Sequence, residues 1–488
     1  CQVLEVQRFR GSYPDIRDLS LFSLYIRKHF CKNNPMDKEA LKYVLLQSSE
    51  RPRPQALERD LSIPRNSGKV ICLVGIRRAG KTFMLFNTMQ RLIAKGIDRQ
   101  QMIYLNLEDD RLYPVRPHEM DMILQAHGEL FPETLSQKRY LFFDEIQAAP
   151  GWERYIRRIY DTENVEIFLT GSSSGLLSRD LAAALRGRSV FFDVFPLSFR
   201  EFLRFKEVKY RPYSRTSESK VIHALETYVK WGGLPELALT DDAMKPLILE
   251  EYISLLFYQD ILERFDIRNE AILRLLLKTC CSQPASLISV HKLYQHFKSM
   301  GFSISKDTLY QYLGYLEEAH ILFTLPIYSQ SARKQAQNPK KIHLIDVGLV
   351  QAYRADPDLD RGHKLENVVF LHERRIHPHL FYHRNKHEID LIVEARPLRY
   401  INTVWSLSSP DTLRREANAM AFGAQSFPEA QGVLLYHEGA PHPGQISTPA
   451  RPAWQYLLDP EARDHPGETK KVSRGKDVRG QMSEIRNA

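Results

Sequence analysis

Short apolar runs alternate with amphipathic segments in the first half of the chain. Runs of this length, bounded by polar residues, are typical of buried strands. They occupy residues 70–75, 102–107, 140–143 and 165–169. A helical pattern from Thr82 to Lys95 separates the first two runs, and a further strand is predicted from Phe191 to Phe195. Strands that alternate with helices predict an α/β fold with a parallel sheet and crossover helices.

The pattern becomes mostly helical after about residue 200. Leu and Ile recur at helical spacing through 245–280. Residues 286–327 carry two apolar stripes and predict a small helical module of the DNA-binding type. Its second helix has two candidate N-caps, Ser303 and Ser305. Strand-like runs reappear further on, at 342–345, 379–383 and 389–393.

The two ends of the chain differ from its middle. Residues 1–36 are polar and without clear periodicity, 38–49 predict an amphipathic helix, and the charged segment 460–488 predicts a disordered tail. Residues 1–65 hold 12 basic and 8 acidic side chains, and residues 461–488 hold 7 and 5, within a formal net charge of +9 for the whole chain. These two segments have net charges of +4 and +2, so residues 66–460 have a net charge of only +3. The positive charge of the whole chain is therefore weaker evidence for a DNA-binding surface.

Composition limits the class of protein. The 488 residues are 43% hydrophobic and 26% charged, which is typical of a globular protein with about three domains and excludes a collagen-like or wholly disordered chain. Five cysteines, an odd number without zinc-site spacing, predict reduced thiols and a cytoplasmic location. Because no run of about 18 apolar residues exists, neither a transmembrane helix nor a membrane partner is expected.

The segment GIRRAGKT, from Gly75 to Thr82, matches the phosphate-binding pattern G-x-x-x-x-G-K-[ST] in full. The glycines let backbone N–H groups face the phosphates, and the helix starting near Gly80 adds its positive end. Lys81 is predicted to reach the β- and γ-phosphates of ATP, and Thr82 to place its hydroxyl on magnesium. A chance match is the alternative, but the strand before the loop and the helix after it argue against one. The predicted nucleotide-binding residues are Gly75, Arg78, Ala79, Gly80, Lys81, Thr82 and Asp144.

Two acids, Asp144 and Glu145, follow the apolar run 140–143. Ligands of α/β sheets bind at the carboxyl ends of the strands. Asp144 is therefore predicted to hold magnesium, together with Thr82. Glu145 is predicted to orient and polarise the attacking water. A solvated strand end that happens to carry two acids is the alternative.

Two later segments are weaker candidates. The strand 165–169 continues into TGSSS (170–174), where a polar side chain could sense the γ-phosphate, although such residues also form ordinary turns. The segment RGR (186–188) offers a guanidinium that could neutralise transition-state charge, in cis or from a neighbouring subunit. A surface arginine pair is the alternative, and the choice stays open.

Together these motifs resemble a family of prokaryotic AAA-type P-loop ATPases that carry an uncharacterised C-terminal domain related to restriction-endonuclease-like folds. The resemblance extends over roughly residues 38 to 440. The matching segments are GIRRAGKT (75–82), LNLEDDRL (105–112), LFFDEIQ (141–147), LTGSSSGLL (169–177), LRGRS (185–189), FPLSFREFL (195–203), WGGLPE (231–236), KIHLIDVGL (341–349), LENVVFLHE (365–373) and HEIDLIV (387–393).

The resemblance implies an order of domains and two further site residues. After an N-terminal extension (1–37) it implies an AAA-type parallel-sheet core (38–205), a helical lid (206–280), a winged-helix-like module (281–345) and an α/β nuclease-like domain (346–459), with the tail behind. It assigns the polar sensor to Ser172 and the arginine finger to Arg188, so that the catalytic set is Glu145, Arg188 and Ser172. A finger acting in trans would require a homo-oligomer.

A metal-dependent nuclease of the implied class needs two acids and a lysine near one scissile phosphate. Glu366 is the candidate first acid, and Asp390, which follows Glu388, is the candidate second acid. The next strand should carry an acid or Gln, one spacer and Lys, but Thr403 and Trp405 stand there. Because Trp carries no positive charge, the sequence disfavours nuclease activity. Weak metal binding and structural salt bridges are the alternatives for these acids.

The helix 306–317 could enter a major groove of DNA and project Lys306, Tyr310 and Gln311. Acids on the same helix, Asp307, Glu317 and Glu318, would repel phosphate. Contacts to the DNA backbone could come from the basic residues Lys292, Lys298, Arg333, Lys334, Lys340 and Lys341. Winged-helix folds also bind proteins, so DNA and a protein partner stay equally open.

The sequence therefore predicts a magnesium-dependent, ATP-hydrolysing AAA-type protein whose conformational change acts on DNA or on a protein partner. An ATP-gated binding module with little turnover is the alternative from another functional class. An ATP-regulated nuclease is the third hypothesis, and the missing lysine argues against it.

Overall fold

The structure is a computed structural model. It describes residues 37–50, 54, 57–64, 67–112, 115–171, 187–353 and 360–459. The predicted N-terminal extension (but for residue 37), the predicted tail and Ser172 therefore lie outside the described residues. Within the described ranges, no helix combines the length and the apolar character that crossing a membrane requires.

A five-stranded parallel sheet forms the amino-terminal part, as the alternation of strands and helices predicts. Its elements are α1 (Lys38–Glu50), β1 (Val70–Val74), α2 (Lys81–Ile93), β2 (Met102–Asn106), α3 (Asp121–Leu130), β3 (Arg139–Asp144), α4 (Trp152–Thr162), β4 (Val165–Gly171) and β5 (Ser189–Asp193). The strand order is β2-β3-β4-β1-β5, and all neighbours are parallel. The carboxyl ends of β1, β3 and β4 therefore meet at one edge.

Burial on both faces explains the continuous apolar runs. All five residues of β1 are buried. Ile71 and Leu73 pack into the core on one side of the sheet, and Val70, Cys72 and Val74 pack into the core on the other. A strand covered on both sides has no polar face, so it shows no alternation.

The segment 199–282 is helical, as its periodicity predicts. It contains α5 (Phe199–Phe205), α6 (Arg215–Trp231), α7 (Pro235–Leu239), α8 (Lys245–Leu255), a π-helix (Leu256–Leu262) and α9 (Glu270–Ser282). Ser198 opens α5 with a capping box, in which its side chain accepts from the N–H of Glu201 and the Glu201 side chain accepts from the N–H of Ser198.

Three helices and a small antiparallel sheet follow. The elements are β6 (Ser286–Ile288), α10 (Val290–Ser299), α11 (Lys306–Glu318), β7 (Leu322–Leu325), α12 (Ala332–Gln337) and β8 (Lys340–Leu344), with strand order β6-β8-β7. Of the two predicted caps, Ser305 is confirmed, because its Oγ accepts from the N–H of Thr308 at 3.1 Å and begins α11. The stripe of Leu309, Leu313 and Leu316 is buried.

A mixed five-stranded sheet forms the carboxyl-terminal part. After a 3-10 helix (Val347–Ala352) come α13 (Arg361–Arg374), β9 (Leu380–Arg384), β10 (Glu388–Val393), β11 (Arg399–Ser406), α14 (Pro410–Ser426), β12 (Gln431–Glu438), β13 (Ala450–Pro452) and α15 (Ala453–Leu457). The strand order is β13-β12-β11-β10-β9, antiparallel from β9 to β11 and parallel from β11 to β13.

A buried carboxylate, Asp346, joins the end of α6 to the turn after β8. Its oxygens accept from the N–H of Gly233 at 2.7 Å and of Gly348 at 2.8 Å. A side chain at Gly232 could not be accommodated, because its Cβ would lie 1.7 Å from Asp346 Oδ1. Burial raises the pKa of Asp346 to about 6, against the opposing effect of the backbone donors. The glycine pair thus permits a close contact between distant segments.

Candidate active site

The phosphate-binding loop leaves β1 at Gly75 and enters α2 at Lys81. Only glycine fits at the first position, since a Cβ on Gly75 would lie 2.3 Å from the carbonyl oxygen of Val194. Gly80 adopts a φ of +97°, which L side chains rarely adopt. The first N–H groups of a helix have no partner within it, so the start of α2 offers a site for an anion.

Lys81 lies within this loop and is 4% exposed. Its Nζ donates to the carbonyl oxygens of Gly75 at 3.1 Å and Ile76 at 3.0 Å, and it lies 3.8 Å from Oε1 of Glu145. The ammonium is therefore held by loop carbonyls at the point where a phosphate chain would need a cation.

Asp144 ends β3 directly opposite the start of α2. Its carboxylate accepts from the hydroxyls of Thr82 (2.7 Å) and Tyr104 (3.0 Å), and also from Thr170. The side chain is nearly fully buried, and burial raises the pKa of Asp144 while the three hydroxyl donors oppose this. Thr82 and Asp144 thus supply adjacent hard oxygen donors. Such a pair fits magnesium, which is usually bound by one or two carboxylates together with substrate phosphates.

Glu145 adopts a left-handed backbone conformation with φ of +50°, which is uncommon for a non-glycine residue and is found preferentially at functional sites. Its N–H donates to Oγ1 of Thr170 at 2.9 Å, and its Oε2 accepts from Nε2 of Gln147 at 2.6 Å. The turn projects the carboxylate toward Lys81, so the predicted base lies next to the P-loop lysine.

The polar side chain that reaches this site from β4 is Thr170. It bonds to both members of the acid pair, to the Asp144 side chain and the Glu145 backbone. The predicted sensor, Ser172, lies outside the described residues. The sequence contained a signal for Thr170, since it is the first polar residue after the apolar run, whereas nothing local indicated Tyr104.

Arg188 lies at the amino ends of the parallel strands, whereas the P-loop and the acid pair lie at their carboxyl ends. It directly precedes β5, and its carbonyl accepts from the N–H of Val70, the first residue of β1. Because β1 rises by about 3.3 Å per residue, the whole length of this strand separates Arg188 from the P-loop. Its guanidinium contacts Asp161 at 3.4 Å and is about one third exposed. The structure thus places Arg188 away from the P-loop of its own chain, and a role for it in a neighbouring subunit remains a prediction.

The neighbouring helices hold both arginines of the P-loop. Nη1 of Arg78 donates to Glu236 at 2.9 Å and Nη2 donates to Glu251 at 3.3 Å. Nε of Arg77 donates to Asp260 on the π-helix at 3.0 Å. The sequence singled out Arg78 as a nucleotide-binding residue and missed Arg77.

A buried arginine, Arg59, is hydrogen-bonded to the backbone of the loop. Arg59 donates to the carbonyl oxygens of Ala79 at 2.9 Å and Phe195 at 2.7 Å, and its Nε donates to Glu201 at 2.8 Å. Sequence reasoning missed this residue, because it lies in an irregular segment that precedes the motif. Its bond to the Ala79 carbonyl oxygen fixes the backbone of the loop just before α2.

The module at 286–344 exposes most of its predicted DNA-contacting residues. Lys292, Lys298, Lys306, Arg333, Lys334 and Lys340 are exposed. Tyr310 is 60% exposed. Two of the acids that would repel phosphate are instead turned toward the protein: Glu317 accepts from Thr324, and Glu318 lies 3.5 Å from Arg264. Lys341 differs from the other basic residues.

The prediction that Lys341 contacts DNA is wrong. The side chain is 2% exposed, and its Nζ lies 2.7 Å from Glu366, 2.7 Å from Glu388 and 3.2 Å from Asp390. Burial alone would lower the pKa of Lys341, but the three carboxylates raise it well above its ordinary value. The ammonium of Lys341 thus occupies the centre of the acid cluster.

Comparison with known proteins agrees with this geometry. Residues 67–203 match a family described as "AAA domain", and residues 222–359 match a domain of unknown function, DUF8612. The uncharacterized protein MJ1544 of Methanocaldococcus jannaschii is 32% identical over 389 residues, which cover 78% of this chain and 85% of that protein. This chain belongs to the family of MJ1544. An uncharacterized protein of Haemophilus influenzae is 28% identical over 299 residues, 61% of this chain and 72% of that protein.

The AAA domain of this MJ1544 family member contains all five strands of the parallel sheet. The P-loop, Asp144, Glu145 and Thr170 therefore all belong to an AAA-type P-loop ATPase domain. Among solved structures, the Walker-type ATPase PABY2304 of Pyrococcus abyssi has 17% identity and a TM-score of 0.41, covering 65% of this chain and 96% of that one.

Proposed function

We propose that the protein hydrolyses ATP in a magnesium-dependent reaction and that hydrolysis moves the helices around the P-loop. The observation that carries this proposal is the convergence of Lys81, Thr82, Asp144 and Glu145 at one edge of the parallel sheet. ATP turnover of the Lys81→Ala and Glu145→Gln variants tests it. When bound, magnesium would neutralise phosphate charge from a position beside Thr82 and Asp144.

In the proposed reaction, the residues of the P-loop, the acid pair and Thr170 have different roles. The N–H groups at the start of α2 and the ammonium of Lys81 bind the negative phosphates, once Lys81 exchanges its loop carbonyls for phosphate oxygens. Glu145 orients a water and accepts a proton from it as the new bond to the γ-phosphorus forms and the bond to the β,γ-bridging oxygen breaks, with ADP as the leaving group. Thr170 fixes the acid pair, since it bonds to Asp144 and to the backbone of Glu145.

An ATP-gated binding module with little turnover is the second candidate. It is favoured by the contacts of Glu145, whose two carboxylate oxygens face Gln147 and Lys81. Glu145 must give up these contacts before its carboxylate can orient water, which would make hydrolysis slow. Tight nucleotide binding with negligible turnover in the wild-type chain would select this candidate.

DNA is the partner that we propose for the module at 286–344, because α10, α11 and α12 carry exposed lysines and an exposed arginine, and two acids of α11 are engaged within the protein. The double variant Lys306→Glu/Lys334→Glu is expected to weaken binding to duplex DNA at least tenfold. It should also lower the salt dependence of log K by roughly two, since each phosphate contact contributes about one. Fluorescence anisotropy of labelled duplex DNA across a salt series measures both quantities.

The matched control for that experiment is Lys95→Glu/Lys220→Glu, which makes the same charge change at exposed positions on α6 and after α2. Equal losses in both double variants would indicate a general charge effect. A wild-type chain that does not bind duplex DNA at low salt would contradict the proposal and favour a protein partner.

Arg188 is proposed to act as a finger on the nucleotide of a neighbouring copy. Replacement by alanine is then expected to lower turnover by about 10³-fold where copies associate, with nucleotide affinity unchanged. Turnover per chain, measured over a range of protein concentrations, checks this. Wild-type turnover that is independent of concentration and unaffected by Arg188→Ala would contradict both the finger and the homo-oligomer.

The C-terminal part is proposed to be a nuclease-like domain without nuclease activity. Support comes from Lys341, because its ammonium stands among Glu366, Glu388 and Asp390 where a divalent cation would have to bind. Cleavage of DNA that Asp390→Ala abolishes would overturn this view.

The free, buried thiols of Cys72, Cys280 and Cys281 support a reducing, cytoplasmic location.

A further inference from the structure

The π-helix between α8 and α9 places a buried carboxylate beside the P-loop. Asp260 is 5% exposed, and its Oδ1 accepts from Nε of Arg77 at 3.0 Å. Its Oδ2 is buried and has no hydrogen-bond partner within the described part of the chain. Buried polar atoms are nearly always paired, so an unpaired carboxylate oxygen beside the P-loop calls for an explanation.

The surroundings of Asp260 belong to the nucleotide site. Burial raises the pKa of Asp260, and Glu145 acts in the same direction, whereas Arg77 and Lys81 oppose them. The predicted base and the P-loop lysine are thus both within electrostatic reach of this carboxylate. A bound γ-phosphate would introduce further negative charge into the same region.

Arg77 connects the loop to the π-helix and to α8. Its side chain bonds to Asp260, and its carbonyl oxygen accepts from the hydroxyl of Tyr252 at 2.8 Å. Its Nη2 also lies 3.7 Å from Oε1 of Glu108. Arg77 is within the GIRRAGKT motif, four residues before Lys81, so a bound phosphate chain would compete for the same guanidinium.

The segment that carries Asp260 is suited to a change of position. π-Helices are rare and frequently occur at functional sites. A buried carboxylate that loses its cationic partner is strongly destabilised unless it moves or is protonated. Competition for Arg77 would therefore act directly on the π-helix.

We propose that Asp260 distinguishes ATP from ADP: Arg77 and Asp260 latch the π-helix to the P-loop, and the γ-phosphate releases the latch by attracting Arg77 and repelling the carboxylate. This inference rests on the proposed ATP hydrolysis and adds the group that couples the nucleotide to the helices. It predicts that the carboxylate of Asp260 lowers affinity for the triphosphate more than for the diphosphate.

The test compares Asp260→Asn with the wild-type full-length chain. Isothermal titration with magnesium and either ADP or a non-hydrolysable ATP analogue gives the two affinities. The variant is expected to raise the preference for the analogue over ADP about tenfold. Hydrogen exchange over residues 245–262 supplies a structural readout: in the wild type it should be faster with the analogue than with ADP, and this difference should disappear in the variant.

Glu251→Gln is the matched control, because it removes a largely exposed carboxylate that pairs with the other P-loop arginine. It should leave the preference and the exchange difference unchanged. Should Asp260→Asn fail to fold, Arg77→Gln provides the second variant, with fast exchange over 245–262 expected even without nucleotide.

The failures of the two proposals can be told apart. A wild-type chain that binds neither nucleotide would overturn the proposed function and this inference together. A wild type that binds and hydrolyses ATP, combined with an Asp260→Asn variant of unchanged preference and unchanged exchange difference, would overturn the latch alone. In that case the Arg77 and Asp260 pair is a structural salt bridge.

Discussion

Replacement of Lys81 by alanine is expected to lower ATP turnover by at least 10²–10³-fold, the cost of removing one preorganised group from a developing phosphate charge. Because Lys81 also neutralises the bound nucleotide, its affinity for ATP should fall as well. Replacement of Glu145 by glutamine should lower turnover by about 10²–10⁴-fold, since it removes the group that orients the water. ATP binding should be retained, as the amide keeps the shape of the side chain. Release of phosphate under saturating magnesium and titration of the nucleotide measure the two effects separately.

The control for these variants is Lys95→Ala, beyond the far end of α2, which alters a lysine at the surface. It should preserve both turnover and affinity. Turnover that persists unchanged in both Lys81→Ala and Glu145→Gln would show that hydrolysis occurs elsewhere or comes from a contaminant, and would contradict the proposed site.

Replacement of Lys341 by methionine is expected to lower the free energy of unfolding by about 3–5 kcal/mol, because it leaves buried carboxylates without a cation. Chemical denaturation measures this quantity. The adjacent Lys340→Met is the control, since Lys340 is exposed on the same strand and should change stability little.

The loss should also depend on pH. Burial and the charge of Asp390 raise the pKa of Glu366 well above its ordinary value, and removal of the ammonium would raise it further. A carboxyl whose folded-state pKa is raised contributes stability at low pH and loses it as the pH rises through that pKa. The deficit of Lys341→Met should therefore be smaller at pH 5 than at pH 8. A deficit independent of pH, or a triple variant with Glu366→Gln and Asp390→Asn that recovers nothing, would contradict the charge argument.

The sequence predicted the parallel sheet and half of the site because both are encoded locally. The P-loop motif lies between a strand and a helix, and Asp144 directly follows a run of buried residues, so that spacing along the chain was sufficient. Thr170 and Tyr104 belong to other strands, and only the strand order brings them to Asp144.

Long-range charge pairing was beyond the reach of the sequence. Arg77 and Asp260 are 183 residues apart, and Lys341 lies 25 residues from Glu366 and 49 from Asp390. A lysine in a basic stretch resembles a surface residue until its partners are known. For Arg188 the sequence left action in cis and action from a neighbouring subunit open, and only the strand arrangement shows that the residue precedes β5, at the end of the sheet away from the P-loop.

The short strand β8 is held near both of its ends by buried charges from different parts of the chain. Lys341 near its start is enclosed by carboxylates of α13 and β10, and Asp346 just after its end bonds to the backbone following α6. Separating either neighbour would expose an unpaired charge in the interior. We therefore expect the region from α6 to β10 to unfold as one cooperative unit, and we expect proteolytic cleavage between residues 341 and 366 to yield fragments that do not fold independently.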